Sequence, residues 1–246
     1  MDMASIIVLR KYIDDLTALH IVASFGENSA LIHVLITNGA NVNAIDIYGH
    51  TPLRYALQSG CIHNIRALIN AGGESDHLHM VNDQTPLHLV IQRHDLELAE
   101  FLLKHKAQVD APDKVGDTPL LYAVVGHSRK GVRLLLNYGA NPDITDQHDN
   151  TPLHLSVTAN NLEITKDLLN VKPELLDSIN SYGHTPLMCA VLGRSIKLTR
   201  LLLQNGANVC ITDKNGISSY NLALTTKSDG LIELFTKFSY LKENKT

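Results

Sequence analysis

Basic residues are not in excess in this sequence. Its 246 residues include 21 Lys and Arg against 25 Asp and Glu, a formal net charge of −4 with histidine neutral. A protein that grips nucleic acid by its phosphates needs a basic field, and a membrane-surface anchor needs a polybasic run, so neither partner class is expected. Cysteine is also scarce. Cys61, Cys189 and Cys210 are scattered and form no CxxC, which leaves no disulfide framework and points to a reducing compartment. Long apolar runs are missing as well. The stretch Met3–Leu9 is too short for a membrane span, and it lacks the flanks and cleavage site of a secretory leader. The reading is a soluble, cytoplasmic protein, with the nucleus open.

Catalytic signatures are equally thin. GESDH and GHSRK have neither the glycine spacing nor the strand–helix setting of a phosphate loop. Among the 13 histidines, His77 and His79 form an HxH with His63 elsewhere, but three or four converging ligands are not visible, so no metal and no cofactor are expected. No histidine partner marks Cys61 or Cys189 as a nucleophile. Asp14–Asp15 reads as a helix-end charge pair rather than acid–base machinery. No catalytic residue is assigned.

What the sequence has is a period. HTPLRYALQSG at 50–60 has relatives at 84–94, 117–127, 150–160 and 184–194. The marker hydroxyl residue falls at Thr17, Thr51, Thr85, Thr118, Thr151, Thr185 and Ser218, so successive steps are 34, 34, 33, 33, 34 and 33 residues. A fixed step of this length means stacked copies of one supersecondary unit, and no Pro/Gly/Ser-rich linker interrupts it. Residues 1–246 therefore read as one domain of seven units.

One unit can be built from its residues. Thr118 is placed to cap a helix with its hydroxyl, and Pro119 sits at the first helical position, where its missing N–H costs nothing. The helix should stop near Gly126–His127. A second helix, KGVRLLLNY, carries Val132, Leu135 and Leu136 at helical spacing and should end at Gly139, a position suited to a left-handed backbone. NPDITDQHDN reads as a turn-rich link to the next Thr-Pro. Two short helices cannot bury their apolar faces alone, but stacked copies can.

Thr85-Pro86-Leu87-His88, Thr151-Pro152-Leu153-His154 and the stretches at 35–53, 134–146 and 201–213 resemble the ankyrin repeat over about residues 1–240. The resemblance implies an all-α solenoid of helix–turn–helix units, with β-hairpin-like fingers on one edge and a groove lined by the first helices. It also implies that the box histidine, kept at His20, His88 and His154, ties each box together. Arg54, Leu121, Met188 and Asn221 replace it elsewhere. Irregular fingers are expected after the second, third and fifth units, the last two of which lack the terminal glycine. Residues up to about 16 read as a helical cap, and a polar helix to about 240 closes the other end.

The resemblance also implies function: a non-enzymatic adaptor, scaffold or inhibitor that binds a protein partner, itself a monomer. Alternatives are a microbial or viral effector that sequesters a host protein, or an inhibitor of Rel-type transcription factors. Finger tips and the outward first-helix positions would make the contacts. On the tips these include Ile47, Tyr48, His50, Val81, Asn82, Gln84, Lys114, Val115, Asp117, Gln147, His148, Asn150, Ser181, Tyr182 and His184. The position after each box reads Tyr55, Leu89, Tyr122, Leu155, Cys189 and Leu222, a stripe of apolar or aromatic residues. Asn43, in GANVNA, resembles the finger asparagine that oxygen-dependent asparaginyl hydroxylases modify.

Overall fold

A Thr-Pro pair opens most of the first helices for a local reason. Thr51, Thr151 and Thr185 hold extended backbone, and their hydroxyls accept the N–H of the residue three on, while proline takes the first helical position. The computed structural model describes residues 15–74 and 83–243. The expected N-terminal cap, the His77–His79 pair and the tips Val81 and Asn82 lie outside these residues. Among the described residues the regular elements are helices, and strand-like pairing is limited to an isolated bridge between Thr212 and Ser218.

The chain divides into two compact units. The first holds residues up to 90 together with 97–108. It contains α1 (Ala18–Ser24), α2 (Ser29–Thr37), α3 (Pro52–Ser59) and α4 (Ile62–Asn70), with most of α5 (Pro86–Gln92) and α6 (Leu96–Lys104). First helix packs on first helix, α1 against α3, and second on second, α2 against α4. Leu19, Ala23, Ile32, Leu53, Ala56, Ile65 and Leu68 are fully buried between them. Each leucine or isoleucine so buried contributes about 1.5–3 kcal/mol relative to exposure, and each alanine less.

The second unit holds residues 91–96 and those from 109 on. Its first helices are α7 (Pro119–Val125), α9 (Pro152–Thr158), α11 (Pro186–Leu192) and α13 (Ser219–Thr226). Its second helices are α8 (Arg129–Asn137), α10 (Leu162–Val171), α12 (Ile196–Gln204) and α14 (Asp229–Glu243). Neighbouring first helices lie side by side, α7 with α9, α9 with α11, and α11 with α13. Val132 and Leu135 are buried as their spacing predicts, and Leu136 is half-buried. The closing helix α14, which reads as polar, buries Leu231, Leu234 and Phe235. On the second helices, Arg129 and Arg133 both bind the Asp167 carboxylate, Arg129 at 2.7 Å and Arg133 at 2.8 Å. Hydrogen bonds from Arg129 hold that carboxyl down at about 2 against the cost of its burial.

Helix ends follow one pattern. At Gly139 (φ +84°) the N–H of Gly139 bonds Leu136 O and that of Ala140 bonds Leu135 O, which satisfies two orphan carbonyls. The third repeat, expected to be irregular for want of glycine, makes the same pair of bonds from Lys106 and Ala107, with Lys106 at φ +67°. A side chain there is disfavoured by about 1 kcal/mol. Lys106→Gly is therefore expected to stabilise the protein by about 1 kcal/mol, read as a higher urea midpoint; an unchanged or lower midpoint would show the strain to be absent. The fifth repeat, also without glycine, inserts a 3₁₀ helix, Pro173–Asp177, that buries Leu175 and Leu176. Thr118 departs from its expected role. It stands at the cap of α7, but its buried hydroxyl has no hydrogen-bond partner.

Candidate functional site

The fingers are built by one side chain each. Asp46 Oδ1 accepts the N–H groups of Tyr48 and His50, both at 2.8 Å, while its own backbone N–H bonds His50 O. Asp113, Asp146, Asn180 and Asp213 repeat this arrangement at their own fingers. The turn projects the two residues after the acidic or amide anchor into solvent. That is why Ile47 and Tyr48, Lys114 and Val115, and His148 are exposed. Burial alone would raise the pKa of Asp46. The His50 N–H, the Tyr55 hydroxyl and the Tyr48 N–H outweigh it and hold the carboxyl below its ordinary value.

The first unit brings three of the expected residues together. Tyr48 lies 65% exposed beside His50, with ring centroids 5.8 Å apart, and His50 lies 6.1 Å from Tyr55. Ile45 and Ile47 are also exposed there. Leu89 belongs to the same unit and is half-buried on α5. In the second unit, Tyr182 is 57% exposed, 6.2 Å from the His148 ring and 5.9 Å from His184, so adjacent fingers present one aromatic cluster. The Ser181 N–H bonds His148 O and joins those two fingers. Lys114 and Val115 stand on the tip that precedes them in sequence.

The first-helix stripe has a structural duty that its sequence does not announce. The hydroxyls of Tyr55 and Tyr122 donate to Asp46 and Asp113 at 2.8 Å, nine residues back, which ties each helix to its own finger. The repeated Asp-x8-Tyr spacing was the available signal. Where Leu155 and Cys189 take the tyrosine's place, Asn150 bridges instead, donating to Asp146 and accepting from Asn180. Tyr122, Leu155 and Cys189 are half-buried, and Leu222 is buried. Burial pushes the Cys189 thiol up to about 11, so it is a protonated, unreactive thiol at neutral pH.

The box histidines are tied as the resemblance implies. His20 Nδ1 lies 3.1 Å from the Thr17 N–H and 2.8 Å from its hydroxyl, and Nε2 lies 2.9 Å from His50 O in the next finger. Asn43 is bonded at both ends of its amide: its oxygen accepts from the Glu74 N–H and its nitrogen donates to Gly72 O. A cavity of about 720 Å³ opens between α2 and α4, with His33, Ile36, Ala67 and Asn70 in its lining and no convergent set of ionisable groups. Among the described residues no group of three or more His, Cys, Asp or Glu is placed to hold a metal ion, and no helix is long and apolar enough to cross a membrane.

A family model described as ankyrin repeats in three copies matches residues 4–77, 72–146 and 128–213. The chain belongs to the ankyrin-repeat family. Its ankyrin array is 30% identical over 236 residues to the human transient receptor potential cation channel subfamily A member 1, covering 92% of this chain and 21% of that protein. It is 31% identical over 208 residues to ankyrin repeat protein nuc-2 of Neurospora crassa, covering 83% of this chain and 19% of that one. The chain thus spans about a fifth of the length of these curated relatives. Among solved structures, the ankyrin repeat domain of Bcl-3, a member of the IkappaB protein family, superposes with a TM-score of 0.78 at 24% identity, covering 91% of this chain and 99% of that one. The human ASB11 ankyrin repeat domain gives 0.69 at 25% identity, covering 91% and 98%. The fold is therefore an ankyrin-repeat solenoid, a protein-interaction module.

Proposed function

We propose that this ankyrin array is a non-enzymatic adaptor, scaffold or inhibitor that holds a protein partner through its finger tips and first-helix faces. One observation carries the reading: large apolar and aromatic side chains stand out in solvent on the tips, Ile47 and Tyr48 in the first unit and Val115 and Tyr182 in the second. Residues of this kind gain most when a partner covers them, and tyrosine is enriched where binding energy concentrates. The turns beneath them are closed by the anchors Asp46, Asp113 and Asn180 rather than by these side chains. The cytoplasm or nucleus is the proposed location.

Tyr48→Ala combined with Tyr182→Ala tests this reading. Partners would be captured from cytosolic and nuclear extracts, identified by mass spectrometry, and their affinity remeasured with purified components. The double variant is expected to weaken binding by about 2 kcal/mol or more while leaving the helical circular dichroism unchanged. A partner held equally by both proteins would place the contact elsewhere. Because Tyr55 and Tyr122 anchor their own fingers, truncating them would mix lost contact with lost structure, which makes the exposed pair the cleaner test.

A further inference from the structure

The face of the second unit formed by α7, α9 and α11 carries no charged residue: the three helices read PLLYAVV, PLHLSVT and PLMCAVL. Tyr122 and Val125 are three apart on α7, as are Cys189 and Leu192 on α11, so each pair shares one helix face. Val125 is 61% and Leu192 46% exposed, and half-buried Leu155 stands on the helix between them. This is an uncharged, largely apolar wall with nothing over it among the described residues.

The fingers beside this wall are acidic. Two adjacent fingers bring Asp113, Asp117, Asp146 and Asp149, against Lys114 as their cation. Their charges are close enough to act on one another, since burial together with Asp113 and Asp146 pushes the Asp117 carboxyl above its ordinary value. Asp149 is exposed at φ +58°, the left-handed turn position two residues before the box, which Gly49, Gly116, Gly183 and Gly216 fill elsewhere and which Asp15 and Asp83 also hold.

We infer that the occupant of this face is a cationic amphipathic segment of a protein, its apolar residues on the wall of α7, α9 and α11 and its lysines or arginines against the acidic fingers. Apolar area on the wall would supply affinity, and the carboxylates would supply attraction at a distance and select against acidic partners. This inference rests on the reading of the chain as a protein-binding module and names the chemistry of what it binds.

The probe is a fluorescein-labelled amphipathic peptide of leucine and lysine, about four helical turns long, with its glutamate-for-lysine counterpart as control, followed by anisotropy on the intact protein. The lysine peptide is expected to bind, and to weaken about tenfold between low and high salt, while the glutamate peptide does not bind. Asp149→Gly, which should raise stability, is expected to weaken the lysine peptide about two- to threefold. Val125→Lys with Leu192→Lys, both at exposed positions, should weaken it more than tenfold. Equal binding of both peptides, salt-independent binding, no binding, or indifference to the double lysine variant would each overturn the inference. A natural partner indifferent to salt and to Asp149→Gly would overturn it too, while leaving the protein-binding reading intact. Lysine-peptide binding with no natural partner captured would count against that reading instead.

Discussion

Gly183→Ala is expected to destabilise the second unit by about 3 kcal/mol, and the reason is a neighbour rather than the turn alone. Gly183 sits at φ +80°, where a side chain costs about 1–2 kcal/mol. A Cβ there would also come 2.8 Å from the Lys214 backbone nitrogen and 3.2 Å from two backbone carbons of Asp213 in the next finger. Those atoms cannot rotate away, so the fingers must separate, at a further cost of about 1–3 kcal/mol. Gly116 provides the control. It holds the same finger position at φ +93° with nothing within 4 Å of its Cβ site, so Gly116→Ala should cost only the conformational part, about 1–2 kcal/mol. Urea unfolding of the two variants separates the contributions, and equal losses would refute the steric one.

The sequence made the frame legible because the frame is local chemistry. Threonine caps, proline at the first helical position and glycine past the last turn each act within a few residues, and their repetition gave the helix starts and stops directly. Lys106 shows the limit of that reading. The third repeat looked irregular without glycine, yet the bonds from Lys106 and Ala107 to the preceding turn outweigh the strain of a side chain at φ +67°, so the end of α6 stays regular. Thr118 shows the converse, a residue of the right type whose hydroxyl finds no partner. The 3₁₀ helix at Pro173–Asp177 was hidden because its two leucines are buried by a tertiary contact, with α11 and α10, rather than by any period. The exposed tips Tyr48, Val115 and Tyr182 followed from the ankyrin resemblance, carried over by their register before each box. The double use of Tyr55 and Tyr122 did not, since a hydroxyl reaching nine residues back becomes visible only when finger and helix are placed together.

The box histidines give the second large effect, and it depends on pH. His154 is fully buried. Its Nδ1 lies 3.3 Å from the Thr151 backbone N–H and 2.9 Å from the Thr151 hydroxyl, and its Nε2 lies 3.0 Å from His184 O. A backbone N–H can only donate, so Nδ1 carries no proton and Nε2–H donates to the carbonyl; the ring is the neutral Nε2 tautomer. His154→Ala would remove the link between two repeats, leave a cavity and strand buried polar groups, for an expected loss of about 3 kcal/mol at neutral pH. The protonated ring would meet the Thr151 N–H with another N–H. Accordingly burial, only partly offset by the His184 carbonyl, lowers the pKa of His154 below its ordinary value, and burial does the same at His20. A depressed folded pKa means that the unfolded chain takes up the proton first as pH falls. The stability from each ring is therefore fully present above the unfolded value, about 6.5, and drains away as pH drops toward the folded one. Urea midpoints measured from pH 7.5 downward should fall for the native sequence and fall less for His20→Ala with His154→Ala, so that the two curves converge in acid. Parallel curves would mean that these rings do not titrate with unfolding, and that the loss on substitution is packing alone.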